Sequence, residues 1–145
     1  MKKQISRTLL GFFAVLMLAA AANAQTSPGI EARIPFDFVA GKKQLPAGNY
    51  TVRRIRTDSE SALLIRGEGK GSEAVVLTNS GGEEPTGASL TFRQHGERYF
   101  LAEVSIPGTA SVREVTKTRA ERELIEQAKR RAAETKTVTI AAGVR

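Results

Sequence analysis

Residues 30–38 read Ile30-Glu31-Ala32-Arg33-Ile34-Pro35-Phe36-Asp37-Phe38. Apolar side chains occupy every second position, with Glu31, Arg33 and Asp37 between them. A spacing of two is the period of a strand with one buried face, because successive strand side chains point to opposite sides. Pro35 falls in the solvent-facing set and has no N–H to give to a ladder. It therefore predicts an edge strand, a bulge or a bend.

Turns and further alternating segments follow along the chain. Residues 40–44 form a polar turn, and Leu45-Pro46-Ala47-Gly48 a second turn that suits type I geometry. This feeds the strand Asn49-Tyr50-Thr51-Val52, with Tyr50, Val52 and Ile55 expected to face the core. The slip in phase between Val52 and Ile55 predicts a bulge. Further strands are expected at 62–66, 73–78, 88–94 and 98–106, with a tight hairpin at His95-Gly96-Glu97. Residues 57–61 and 79–87 read as loops, as does the stretch containing Gly67, Gly69 and Gly71.

The pattern changes after Pro107-Gly108. Residues 116–134 contain no Gly or Pro and carry a thin apolar seam of Ala120, Leu124, Ala128 and Ala132, with Ile125 beside it, which predicts a helix. Arg122–Glu126 and Glu126–Arg130 have the spacing of i,i+4 ion pairs. A last short strand is expected near 137–141, with Val138 and Ile140 on one side. The sum is a mainly β, single-domain antiparallel sandwich or partly open barrel of about seven strands with one C-terminal α-helix.

The N-terminus has a different logic. Lys2, Lys3 and Arg7 precede the 14-residue apolar run Leu9–Ala22, and Ala22-Asn23-Ala24 follows. Basic start, apolar run and small-residue cleavage site are the three parts of a secretory signal peptide. The run is shorter than the roughly 20 residues that span a bilayer. Residues 1–24 therefore read as a signal peptide, 25–29 as a disordered leader and 30–145 as the β-domain. Localisation is expected to be periplasmic or secreted, with no transmembrane segment after cleavage.

Composition narrows the chemistry. The 145 residues include 22 Lys+Arg, 15 Asp+Glu, one His, no Cys and no Trp. Three of the basic residues belong to the signal peptide, so the formal charge falls from +7 to +4 on cleavage. That modest excess, without a concentrated basic face, gives no reason to expect nucleic acid as a partner. The absence of Cys excludes thiol nucleophiles, disulfides and a lipid-anchored form. One His and no Cys leave too few ligands for a conventional zinc site. No metal and no cofactor is expected.

Three residues remain as weak catalytic candidates: Asp37, Glu103 and His95. A carboxylate-dependent hydrolase would need two carboxylates converging in a cleft. The simpler expectations are that Glu103 faces solvent between Ala102 and Val104, and that His95 is an exposed turn residue. Gly67-x-Gly69-x-Gly71 is not a phosphate loop, because no Gly-Lys-Ser/Thr and no helix follow it. Asn49-Tyr50-Thr51 matches a glycosylation pattern but opens a strand. Arg53, Arg54 and Arg56 are candidates for contact with an anionic envelope surface, as is the helix with Arg119, Arg122, Lys129, Arg130 and Arg131. The interleaved Glu121, Glu123 and Glu126, and the lack of Phe or Trp, count against a membrane-surface helix.

Through Ile34-Pro35-Phe36-Asp37-Phe38 and Leu45-Pro46-Ala47-Gly48-Asn49-Tyr50-Thr51-Val52 the chain resembles a family of small exported bacterial proteins of the acidobacterial kind. Their N-terminal motif is IPFxF…LPAGxYxV. The resemblance extends to residues 100–104, to Glu121-Arg122-Glu123-Leu124 and to residues 138–142, and so covers most of the mature chain. It implies export and fold; the family has no established activity. The Leu-Pro-Ala-Gly-x-Tyr-x-Val piece also looks like turns that open strands in carboxypeptidase-regulatory-like and transthyretin-like β-domains, where the Gly permits the turn and the Tyr anchors the core. The expected function is an exported non-enzymatic binding or structural module of the cell envelope, with an envelope protein, peptide or anionic component as partner. The alternatives are the hydrolase and adhesion to anionic envelope surfaces.

Overall fold

The alternation at residues 30–34 forms strand β1 (Gly29–Ile34), with Ile30, Ala32 and Ile34 buried and Glu31 and Arg33 exposed. A computed structural model describes residues 29–56, 59–131 and 134–145. The expected signal peptide, residues 25–28 of the leader, and Ala132 of the expected helix seam lie outside the described residues. Gly29, expected in the leader, is part of β1 and opposes Arg53.

Among the described residues, eleven strands and one helix follow in the order β1, β2 (Phe38–Ala40), β3 (Lys43–Leu45), β4 (Gly48–Arg56), β5 (Ser59–Gly67), β6 (Glu73–Gly81), β7 (Ser89–His95), β8 (Arg98–Ser105), β9 (Val112–Val115), α1 (Arg119–Arg130), β10 (Lys136–Ala141) and β11 (Gly143–Val144). The chain is mainly β, as the alternation predicts, with more strands than the expected seven. The extra ones are short. What reads as one polar turn at 40–44 is a tight β2–β3 hairpin in which Ala40 opposes Lys43 and Gly41 sits at φ 61°. The four residues of β9 and the two of β11 are too few to show a period.

The strands form two layers. One runs β11-β1-β4-β5-β6 and the other β10-β7-β8-β9-β6, so β6 belongs to both. Residues 73–77 lie in its β5-paired part, and Thr78–Gly81 pair with β9. Asn79–Gly81, expected in a loop, are therefore strand. At the opposite side the chain passes from β10 through Ala142 into β11, and so crosses between the layers again. β2 runs parallel to β8 at Tyr99 and Phe100, and β3 completes that edge. Pro35 lies in the break between β1 and β2, where the chain changes layers. It marks a bend and not an edge: β4 pairs with β1 throughout, and β11 covers Ile30 and Glu31.

The core between the layers is apolar and rich in aromatics. Phe38 meets both Tyr50 and Phe92 edge-on, with centroids at 5.1 and 5.4 Å. Phe36 stacks on Tyr99 at 3.9 Å and meets Phe92 edge-on at 5.2 Å. Such pairs add about 0.5–1.5 kcal/mol each beyond area burial.

The expected bulge in β4 is real, lying between Arg54 and Arg56, but Ile55 does not face the core. Simple alternation continues through Tyr50, Val52 and Arg54, which leaves Ile55 exposed on the outer face with Val75 and Leu77 of β6. The Gly67–Gly71 stretch is tighter than the flexible loop expected from its composition. Gly67 ends β5, its N–H donates to the Ser72 carbonyl, and Ser72 N–H donates to the Gly69 carbonyl.

Helix α1 is shorter than the expected 116–134 and rotated by one position. Thr118 caps it, accepting from Glu121 N–H at 3.2 Å. The residue turned inward is Glu121, with Leu124, Ile125 and Ala128 half-buried behind it, while Ala120 is exposed. Its surface ion pairs are Arg119–Glu123 at 2.8 Å and Glu126–Lys129 at 3.0 Å. No helix among the described residues is long and apolar enough to cross a membrane.

Candidate functional site

The motif around Asp37 and Tyr50 is structural. Asp37 Oδ1 accepts from Ala47 N–H at 2.9 Å, and Tyr50 donates its hydroxyl to the Pro46 carbonyl at 2.7 Å. Both bonds hold the Leu45–Gly48 turn. Burial is the main cause that pushes the Tyr50 phenol above its usual range, so it remains a donor.

Glu103 is exposed on β8, opposite Thr91 on one side and Glu114 on the other. The side chains of Arg53 and Arg54 fall on opposite faces of β4: Arg53 opposes Leu64 on the outer face, and Arg54 opposes buried Leu63. The basic run of the sequence is thus divided between two faces. Arg56 lies beyond the bulge and is exposed.

His95 departs from expectation. It does flank the hairpin turn, paired with Arg98 across Gly96-Glu97, yet it is only 8% exposed. The reason is α1, which covers this end of the outer face of the second layer. Arg93 Nε donates to Glu121 Oε1 at 2.8 Å, and His95 Nε2 lies 3.8 Å from the same oxygen. Thr135 Oγ1 is 3.4 Å from His95 Nδ1. Among the described residues, His95 Nε2 and one terminal nitrogen of Arg93 have no hydrogen-bond partner. Burial is the main cause that lowers the His95 pKa; Glu121 opposes it and Arg93 adds to it. The ring is therefore neutral near pH 7. Sequence reading missed Glu121 because only the covering of β7 by the helix gives it a meaning. The one legible hint was an acidic residue next to the apolar seam.

Beside this clasp lies a groove of about 660 Å³ between the first turns of α1, the β2–β3 hairpin and the start of β8. Val39 and Lys42 line it from the hairpin, Arg98 and Phe100 from β8, and Arg119 and Glu123 from the helix. Phe100 joins the two features. The His95 ring is 5.6 Å from it, and the Arg98 guanidinium carbon sits 5.4 Å over its ring, a cation–π distance. Arg119 is occupied by Glu123. Among the described residues no ion pair engages Lys42 or Arg98. Three cations against one carboxylate give the groove a positive lining. Among the described residues, no three His, Asp or Glu side chains gather as a metal site would require.

No protein-family model, no curated protein and no solved structure matches the chain.

Proposed function

We propose that this protein is an exported, non-enzymatic binding module of the cell envelope that takes its ligand in the groove between α1 and the β2–β3 hairpin. The observation that carries the reading is the groove itself. Its volume of about 660 Å³ falls within the range of roughly 300–1,000 Å³ typical of small-ligand sites. Apolar and charged groups face it together, which is how such sites combine affinity with orientation. Export rests on the three-part leader at residues 1–24 and on the resemblance to small exported proteins. The non-enzymatic part is supported by the occupation of the candidate residues: Asp37 holds a turn, Glu103 faces solvent beside another carboxylate, and His95 is closed under the helix.

The test is an NMR titration of the full chain with a soluble envelope extract, with the bound species recovered afterwards. Shifts gathered at Val39, Lys42, Phe100 and Arg119, with the ligand returned unchanged, support the reading. Shifts elsewhere, or conversion of the ligand, overturn it. Cell fractionation tests export: retention in the cytoplasm with an uncleaved leader overturns that part.

A further inference from the structure

We propose that the ligand of this groove is a small organic anion, with a phosphate or carboxylate group held between Lys42 and Arg98 and an apolar body lying along Val39 and Phe100. The inference rests on the reading of the groove as the binding site. Lys42 and Arg98 reach the same groove from different elements, the β2–β3 turn and β8. Neither is neutralised by a carboxylate among the described residues, whereas Arg119, at the rim, already has Glu123 at 2.8 Å. These two cations, without an ion pair among the described residues, therefore set the sign of the site.

Concave, weakly polar walls focus that sign and raise the local concentration of anions. Arg98 is also held over Phe100. Its planar fork suits the paired oxygens of a carboxylate or phosphate better than a point charge would. An inorganic anion would leave the apolar part of the groove unused, and a neutral apolar molecule would leave two cations facing it without compensation. A molecule with both parts satisfies both. The concavity favours a small ligand over an extended anionic surface, which would meet the exposed Glu123 and Glu126 of α1.

The experiment uses 2-naphthyl phosphate and 2-naphthoate as probes, with inorganic phosphate, 2-naphthol and anionic phospholipid vesicles as comparison arms, all on the full chain. Both organic anions should saturate with shifts at Phe100, and inorganic phosphate and naphthol should each bind at least about tenfold more weakly. Affinity should fall as salt rises from about 50 to about 500 mM. Lys42→Gln with Arg98→Gln should weaken binding by about tenfold or more, and Arg98→Lys should restore part of it. Lys42 and Arg98 are both exposed, so an unchanged melting temperature checks that the variants are folded. No saturable binding of either organic anion, equal binding of naphthol, a double variant of unchanged affinity, or tighter binding to vesicles than to the probes overturns the proposal. Release of fluorescent naphthol from the bound phosphate overturns the non-enzymatic reading and leaves the ligand class standing.

Discussion

Arg93 Nε lies 2.8 Å from Glu121 Oε1 at the seam between β7 and α1, and both side chains are nearly closed off from water, at 15% and 4% exposure. This pair attaches a helix whose other inward residues are only half-buried. Breaking a buried pair from one side leaves a charge without compensation, at a typical cost of 3–5 kcal/mol. Arg93 keeps some access to water, so Glu121→Ala is expected to cost about 2–3 kcal/mol in urea unfolding. Arg93→Met with Glu121→Leu should recover most of that loss. A single-variant loss under about 0.5 kcal/mol would remove the pair from its anchoring role.

The pH dependence follows from His95. Its folded pKa lies below the ordinary 6.5, so under mildly acidic conditions the unfolded chain binds a proton that the folded chain refuses. Its contribution is fully present above about pH 6.5 and is lost as the pH falls from there toward the lowered folded value. Arg93, Glu121 and Thr135 surround the ring, and Glu121 moderates the effect. As His95 is the only histidine, its ring proton resonance reports the titration directly. A midpoint above 6.5 would contradict the burial argument, and His95→Gln should flatten this part of the stability profile.

Gly67 is fixed by its neighbour across the strands. A Cβ at this position would lie 2.7 Å from Tyr50 Cε1 and 2.9 Å from Ser72 Cβ. Gly67→Ala is expected to destabilise by about 1–3 kcal/mol, as overpacking does. Gly87, where a Cβ meets nothing within 4 Å, is the comparison. Gly87→Ala should stay within about 0.5 kcal/mol, measured by the same denaturation.

Asp37 and Tyr50 should behave as a structural pair. Tyr50→Phe and Asp37→Ala each remove one hydrogen bond to the Leu45–Gly48 turn, at about 0.5–1.5 kcal/mol apiece. Because both hold the same four residues, the double variant should lose a different amount from the sum of the singles. Strict additivity in a double-mutant cycle would show that the two bonds act independently.

How much of this was legible in the sequence depends on how far each contact reaches. The alternations at 30–34 and 137–141 and the turn at Gly96-Glu97 are local, and they carry the fold class. Val112-Arg113-Glu114-Val115 gave no sign of its strand, because its inward positions are Arg113 and Val115 and four residues cannot establish a period. Ile55 misled because hydrophobicity suggests the core, whereas its place in the alternation put it outside. His95 and Glu121 were opaque for another reason. Each is polar and unremarkable by itself, and only the docking of α1 on β7 turns the two into a buried contact. The groove likewise draws on residues about 40, 100 and 120 positions along the chain, and no local pattern links them.

The pairing of β1 with β11 has a consequence for how the chain folds. Glu31 and Arg145 meet at 3.3 Å across a separation of 114 residues, and Ile30 faces Val144. β1 thus waits for residues 143–145 before its ladder is complete. Contacts this remote in sequence slow folding, because loop-closure entropy is lost before they form. The β4–β5, β5–β6 and β7–β8 hairpins can assemble early, but the sandwich stays unlatched along β1 until β11 arrives. Cutting the chain back by its final three residues should therefore delay closure and leave β1 the first strand to exchange its amide hydrogens.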